Sequence, residues 1–379
     1  METSLGFQNI KEDKLSGEQF LAKHPMFRYE ASESVDEAFR DRVVQGKKFV
    51  VVGQGGSVLP LKVFVDAFGL WDEILIWNTM DQVFAEHLLK YWRDSDFILV
   101  SKSGETLELQ ATLRWFMAKG IHKDKILVVT DREKGPLRNW AGENSVPSCS
   151  IPSEIGGRFT NFILFHELLL KRFGVDLNVV RMAAKENIEG LKANPKILEM
   201  YFQMLMANPQ SQGLILWAYG ERLLGLAQWI QQVLAESLGK INKFDLRVGK
   251  LPTVLIGPQD QHSVLQFLHQ GPNNHLLWFF DWMSDVAPSG LAKVMSVLSE
   301  SCYQSFHEKL EQKGSQQDLI RWRLTSDLNK DLGEAISFVQ AFVEYAGGRL
   351  GINAFDQPGV ERGKKIALDL MAHSKLIVL

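Results

Sequence analysis

Short, wholly apolar runs recur along the first part of the chain at Phe49 to Val52, Ile74 to Trp77, Phe97 to Val100 and Ile126 to Val129. Each stops at Gly, Asn, Ser or Thr-Asp, and helical patterns fill the intervals between them. Runs without polar alternation predict strands buried on both faces, and their rhythm with helices predicts a doubly wound parallel sheet. A second set, Leu214 to Trp217, Val254 to Ile256 and Leu276 to Phe280, predicts a second such sheet. The expected fold class is therefore α/β, with two doubly wound parallel-sheet domains over residues 1–173 and 174–345 and a C-terminal helical segment over 346–379. Val180, Met182, Ala183, Ile188 and Leu191, spaced among Lys and Glu, predict that the join from Gly174 to Asn194 is helical.

Two helical patterns carry polar residues of interest. Leu223, Leu224, Leu226, Ala227, Ile230, Val233 and Leu234 form one apolar stripe, while Gln228, Gln232 and Glu236 form a polar stripe beside it. Gly239 is a stop signal, so Glu236 falls in the last turn. There the helix dipole disfavours the charged carboxylate and pushes its pKa upward, the direction a proton-abstracting base needs. A solvated Glu236 paired with Lys240 is the bland alternative. Beyond Phe355, Asp356 is a plausible N-cap and Pro358 a plausible first-turn residue of a helix running to Ala372. Lys364 shares a face with Val360, Ala367 and Met371, whereas Lys365 turns the other way toward Asp369. A Lys on an apolar stripe either snorkels or reaches into a site, and a reach into the site is the expectation for Lys364.

Composition narrows the classes. The 379 residues are 45% hydrophobic and 23% charged, enough for a large core in a soluble globular protein. A net charge of −3 leaves no electrostatic footprint for nucleic acid or an anionic membrane, so any anion must be held locally. Cys149 and Cys302 are the two cysteines, far apart, which indicates neither a disulfide framework nor a thiolate metal site. Met1 to Leu5 lacks a basic segment leading into an apolar run, and the expected location is cytoplasmic.

Ligands of parallel sheets bind beyond the carboxyl ends of the strands. The first strand is followed by Gly53-Gln54-Gly55-Gly56-Ser57. A dinucleotide fingerprint would need its third glycine at Val58, and the second strand ends at Trp77-Asn78 without an acidic ribose ligand. A P-loop would need Gly-Lys-Ser/Thr, which is missing at this position. After the third strand comes Ser101-Lys102-Ser103-Gly104-Glu105-Thr106, three hydroxyls and a glycine opening a helix. These donors suit one phosphate, although Ser and Thr also cap helices without any ligand. Glu105 would weaken anion binding unless its side chain points outward.

Ser101 to Thr106 is similar to the phosphate loop of sugar-isomerase (SIS) domains. Glu154-Ile155-Gly156-Gly157-Arg158-Phe159-Thr160, Gln231 to Lys240 followed by Gln261-His262-Ser263, and Phe355 to Lys364 occur in the order of the signatures of the glucose-6-phosphate isomerase family. The chain resembles that family along most of its length. The resemblance implies two SIS-type domains with the C-terminal helix completing the site, and interconversion of glucose 6-phosphate and fructose 6-phosphate through a cis-enediolate, in glycolysis and gluconeogenesis. It implies Glu236 as the base, Arg158 as the stabiliser of the enediolate, and His262 with Lys364 in ring opening; His269 is a competitor for the histidine's role. Ser57, Gly56, Ser101, Lys102, Ser103, Thr106, Gly157, Gln232 and Gln357 would bind the sugar phosphate. No metal or cofactor is implied, and the implied assembly is a homodimer. A dual phosphoglucose/phosphomannose isomerase and a non-catalytic SIS sugar-phosphate sensor stay open as alternatives.

Overall fold

The structure is a computed structural model that describes residues 33–206, 213–272, 275–283, 290–313 and 319–373. The Met1 to Leu5 start lies outside the described residues. The first half runs α1 (Glu37–Gln45), β1 (Phe49–Val52), α2 (Leu59–Phe68), β2 (Ile74–Trp77), α3 (Gln82–Trp92), β3 (Asp96–Ser101), α4 (Leu107–Ala118), β4 (Ile126–Asp131), α5 (Pro136–Glu143) and β5 (Ser148–Ile151). Helices α6 (Leu164–Arg172), α7 (Leu177–Ala193) and α8 (Lys196–Met206) lead into β6 (Gly213–Tyr219) and α9 (Leu224–Leu238). The remainder comprises β7 (Lys240–Ile241), β8 (Arg247–Val248), β9 (Leu251–Gly257), α10 (Gln261–Gln270), β10 (His275–Trp282), α11 (Gly290–Lys313), β11 (Leu319–Leu324), α12 (Leu328–Leu350) and α13 (Glu361–His373).

All pairings in the two large sheets are parallel. The first has the order β2-β1-β3-β4-β5 and the second β11-β10-β6-β9, while β7 and β8 form a small antiparallel ribbon. The unbroken apolar runs have a direct cause: alternate residues face opposite helical layers, and both faces are dry. Val50, Val52, Phe97, Leu99 and Val128 pack in one cluster, whereas Val51, Ile98, Val100, Leu127 and Val129 pack in the other. That second cluster continues without a break into Leu214, Leu216, Leu234 and Phe280 of the second sheet and its helix. Each such fully buried Val or Leu contributes about 1.5–3 kcal/mol to folding, which locks the two sheets at the interface where the site forms.

The expected helical join is α7, and α12 lies along it. Two strands of the large sheets escaped the pattern, as did the short ribbon strands β7 and β8. β5 reads Ser-Cys-Ser-Ile, and β11 reads Leu-Ile-Arg-Trp-Arg-Leu with Arg321 ion-paired to Asp281 and Glu300. The C-terminal expectation also needs correction: α13 begins at Glu361 after a short turn over Pro358–Val360, and Asp356 does not cap it. Its carboxylate instead accepts from Lys240 at 2.6 Å, so Lys240 does not serve as the partner of Glu236 either. A tertiary ion pair was available to both residues, and it replaces the local contacts that sequence spacing suggested. No helix among the described residues is long and apolar enough to cross a membrane.

Candidate active site

The site is built where the carboxyl end of the first sheet meets the last turn of α9. β1 and β3 are neighbours whose onward connections leave in opposite directions, and the Gly53–Ser57 and Ser101–Thr106 loops flank the resulting crevice. A short helical turn over Gly55–Ser57 then packs against a second one over Gly157–Phe159, which carries Arg158.

Within the phosphate loop, the hydroxyls of Ser101 and Thr106 lie 2.9 Å apart and the Gly104 N–H donates to Ser101 Oγ at 3.1 Å. Gly104 has φ +69°, a left-handed conformation that costs a side-chain-bearing residue, and this turns the loop back on itself. Thr106 makes no side-chain cap at the start of α4, so the first-turn N–H groups are not satisfied by it. The capping explanation is therefore not realised for Thr106, whereas Ser101 and Ser103 each accept from a backbone N–H of their own loop. Glu105 is exposed, the outward placement that an anion site needs beside it. Ser103 accepts from the Glu105 N–H at 3.2 Å, and the Ser57 N–H donates to Gln54 O at 3.0 Å. Lys102 is turned elsewhere: its ammonium donates to the carbonyls of Ser153 at 2.6 Å and Ile155 at 2.7 Å, bracing the loop that leads to Arg158. Burial lowers its pKa, opposed by the nearby carboxylates of Asp131 and Glu154.

Arg158 is the hub. Its side chain is 2% exposed, and its fork donates to Ser237 Oγ at 3.1 Å, Glu236 Oε2 at 3.2 Å, Gln357 Oε1 at 2.9 Å, Ala354 O at 2.7 Å and Asp356 O at 3.3 Å. Burial pushes its pKa down while the carboxylates of Glu236 and Asp356 push it back up, and a guanidinium keeps its charge in such a setting. Its backbone carbonyl is pinned by the Trp229 indole N–H at 2.7 Å. Glu236 is 31% exposed, open on one side and tethered on two: Oε2 faces Arg158, and Oε1 accepts from Gln232 Nε2 at 2.8 Å. The polar stripe of α9 thus presents its one carboxylate to a buried cation and an open space.

The structure therefore brings together Arg158, Gly157, Gly56, Gln232, Glu236 and Gln357. It does not bring His262 or Lys364 to them. His262 is exposed in the first turn of α10, beyond the carboxyl end of β9, whereas α9 returns Glu236 to the amino end of that sheet. Six residue steps of strand separate the two ends, roughly 20 Å. Lys364 is exposed on α13 and paired with Glu361 at 2.8 Å. The competing His269 stacks on Phe306 and contacts Ser305 Oγ at 3.1 Å, a packing arrangement in which burial and Lys309 lower its pKa. Sequence reasoning missed Ser237, Trp229 and Lys240. Trp229, Gln232, Glu236 and Ser237 share one helical face, a signal that the apolar character of Trp229 obscured. Lys240 holds the 353–357 segment by donating to the carbonyls of Asn353 and Asp356.

Two doubly wound parallel sheets, a hydroxyl-lined crevice and a carboxylate locked to a buried guanidinium define a phosphosugar-binding protein of the SIS class. No family model matches the chain. In sequence it is 30% identical over 351 residues to a glucose-6-phosphate isomerase of Thermus thermophilus, covering 86% of this chain and 83% of that protein. It is 28% identical over 403 residues to the glucose-6-phosphate isomerase of Carboxydothermus hydrogenoformans, covering 96% and 87%. The chain belongs to the glucose-6-phosphate isomerase family. Its fold matches the crystal structure of a hypothetical protein from Thermus thermophilus with a TM-score of 0.74, 24% identity and coverage of 97% and 93%. It also matches that of a glucose-6-phosphate isomerase from Chlamydia trachomatis with a TM-score of 0.71, 18% identity and coverage of 90% and 72%.

Proposed function

We propose that this protein is an aldose-ketose isomerase that interconverts glucose 6-phosphate and fructose 6-phosphate through a cis-enediolate. The observation that carries the reading is the placement of Glu236, open to the crevice on one side and tethered on the other by Arg158 and Gln232. The phosphate sits on the Ser101–Thr106 loop with the first-turn N–H groups of α4, and Ser57, Lys102 and Gly157 shape the surrounding loops. The Glu236 carboxylate takes the proton from C2 of the open-chain aldose and returns it to C1. Charge building on the sugar oxygens faces the Arg158 guanidinium, fixed in advance by four other acceptors so that little reorganisation accompanies the step. Gln357, anchored to Arg158, orients the sugar.

Ring opening falls to His262 and Lys364. Because His262 lies at the far end of the second sheet from Glu236 of the same chain, the protein acts as a homodimer in which a second copy lends its His262. Lys364 exchanges Glu361 for the ring. A cytoplasmic location belongs to the same proposal. A coupled assay for fructose 6-phosphate formation tests it: Glu236→Gln should remove turnover while sugar-phosphate binding stays within a few-fold, and a variant that still turns over rules out Glu236 as the base.

A further inference from the structure

Three of the five acceptors of Arg158 come from one stretch of chain that is neither helix nor strand. Residues 353–357 lie between the end of α12 and the turn over Pro358–Val360, and they supply the carbonyls of Ala354 and Asp356 and the amide oxygen of Gln357. With no ladder of backbone bonds to fix it, this stretch takes its position from the side chains around it. Ala354 is buried and the Phe355 ring meets Phe159 at 5.7 Å, which anchors its middle.

A second cation holds the rest. Gly239 closes α9 by returning its N–H to Ala235 O at 3.1 Å, a turn so tight that a Cβ there would stand 2.7 Å from that carbonyl. The chain thereby enters β7 at Lys240, four residues past Glu236. The Lys240 side chain is 8% exposed, and its ammonium donates to Asn353 O, to Asp356 O at 2.7 Å and to Asp356 Oδ1 at 2.6 Å. Three donors meet three acceptors. Burial lowers the Lys240 pKa, and its bond to the Asp356 carboxylate opposes that shift. The other carboxylate oxygen, Oδ2, accepts from Asn353 Nδ2 at 3.1 Å and closes the loop on itself. The Asp356 carbonyl is shared, since Arg158 Nη2 also donates to it at 3.3 Å. Two cations from separate elements thus grip one peptide group, and a shift of that group moves the acceptors of both.

We propose that Lys240 is a positioning residue for the isomerisation: by fixing the Asp356 carbonyl and the 353–357 segment, it sets where the Arg158 guanidinium and Gln357 stand, and it touches neither sugar nor phosphate itself. This rests on the isomerase reading of Glu236 and Arg158.

Two variants of opposite charge change test it. Lys240→Met keeps the stem and deletes a positive charge, whereas Asp356→Ala deletes a negative one. Positioning predicts that both lower kcat in the coupled assay, Lys240→Met by about 10–100-fold and Asp356→Ala by about 3–10-fold, with KM within a few-fold. A field effect alone would drive the two in opposite directions. Arg158→Lys should cost at least about tenfold less in kcat when made in Lys240→Met than in the unmodified protein, because the two residues act as a unit. Calorimetry supplies an arm without turnover: arabinonate 5-phosphate, whose carboxylate stands where charge forms on the sugar, should bind Lys240→Met at least about tenfold more weakly, and inorganic phosphate within about twofold of the unmodified protein. Unchanged kcat in Lys240→Met, opposite effects of the two variants, independent effects in the cycle, or equal losses of affinity for the two anions would each overturn the proposal. An unmodified protein without turnover would instead overturn the isomerase reading itself. If Lys240→Met fails to fold, Asp356→Ala in the same cycle with Arg158→Lys decides between the same outcomes.

Discussion

The backbone of Gly56 lies so close to that of Arg158 that a Cβ at position 56 would stand 2.6 Å from the Arg158 nitrogen. Real Cβ atoms do not approach backbone atoms so closely, so Gly56→Ala must push the Gly157–Arg158 turn away from the crevice. An overpacked contact of this kind costs about 1–3 kcal/mol, and a displacement near 1 Å in a reacting group costs about a hundredfold in rate. Gly56→Ala should therefore fold with a lower melting temperature and lose about two orders of magnitude in kcat. Unchanged kinetics would mean that the contact between the two turns does not set the position of Arg158.

Arg158→Lys keeps the charge and removes the fork. A single ammonium cannot serve Ser237, Glu236, Gln357 and the carbonyls of Ala354 and Asp356 together. Turnover should fall by about 10²–10³, with KM moving much less, because the lost interaction is strongest when charge has built up on the sugar. Steady-state kinetics of the two proteins would separate this from a binding defect, which would raise KM alone.

His262 and Glu236 belong to opposite ends of the second sheet, so the proposed site needs both from different chains. Glu236→Gln and His262→Ala homodimers should each be nearly inactive. Unfolded together and refolded as a mixture, they should regain activity, because half of the dimers are then mixed and each mixed dimer keeps one site with both residues. A mixture no more active than its components would rule out a site shared between two chains, and an active His262→Ala homodimer would place His262 outside the reaction.

Glu344 predicts a pH dependence of stability. Burial raises its pKa to about 8, and its Oε2 atom has no hydrogen-bond partner among the described residues. The folded state thus holds the neutral acid: its contribution is complete below the unfolded value near 4.5 and is lost as pH climbs through 8. Glu344→Gln supplies a permanent neutral mimic, so it should gain on the unmodified protein between about pH 5 and pH 8 by on the order of 3 kcal/mol. Glu33, raised by burial to about 7, acts in the same direction. His166 acts in the opposite one: burial depresses its pKa to about 4, and its contribution is lost as pH falls from 6.5 toward 4. Urea unfolding midpoints at about pH 5 and pH 8 would check the sign for Glu344, and a variant with no gain at the higher pH would remove it as the cause.

Much of the architecture was legible because two-sided burial leaves a continuous apolar run, as in Phe49 to Val52, and no alternative element explains such runs at that spacing. β11 was not legible because Arg321 and Arg323 interrupt it, and their charges make sense only beside Asp281 and Glu300. The candidate site divides the same way. Glu236, Gln232 and Arg158 stood out through local pattern and motif, and they meet. Asp356 had the right position for a helix cap, yet Lys240, distant in sequence, provides a stronger partner.

By itself the chain determined the alternation of strand and helix, the loops at the strand ends and the chemical types in them, since each depends on neighbours within a few residues. Only the tertiary structure decided which groups face one another: that Arg158 is buried with five acceptors, that Lys102 braces a loop, and that His262 lies a sheet's length from Glu236. Those outcomes depend on how two sheets pack and how a returning helix spans them, and the energies involved belong to contacts between residues that local pattern never brings side by side.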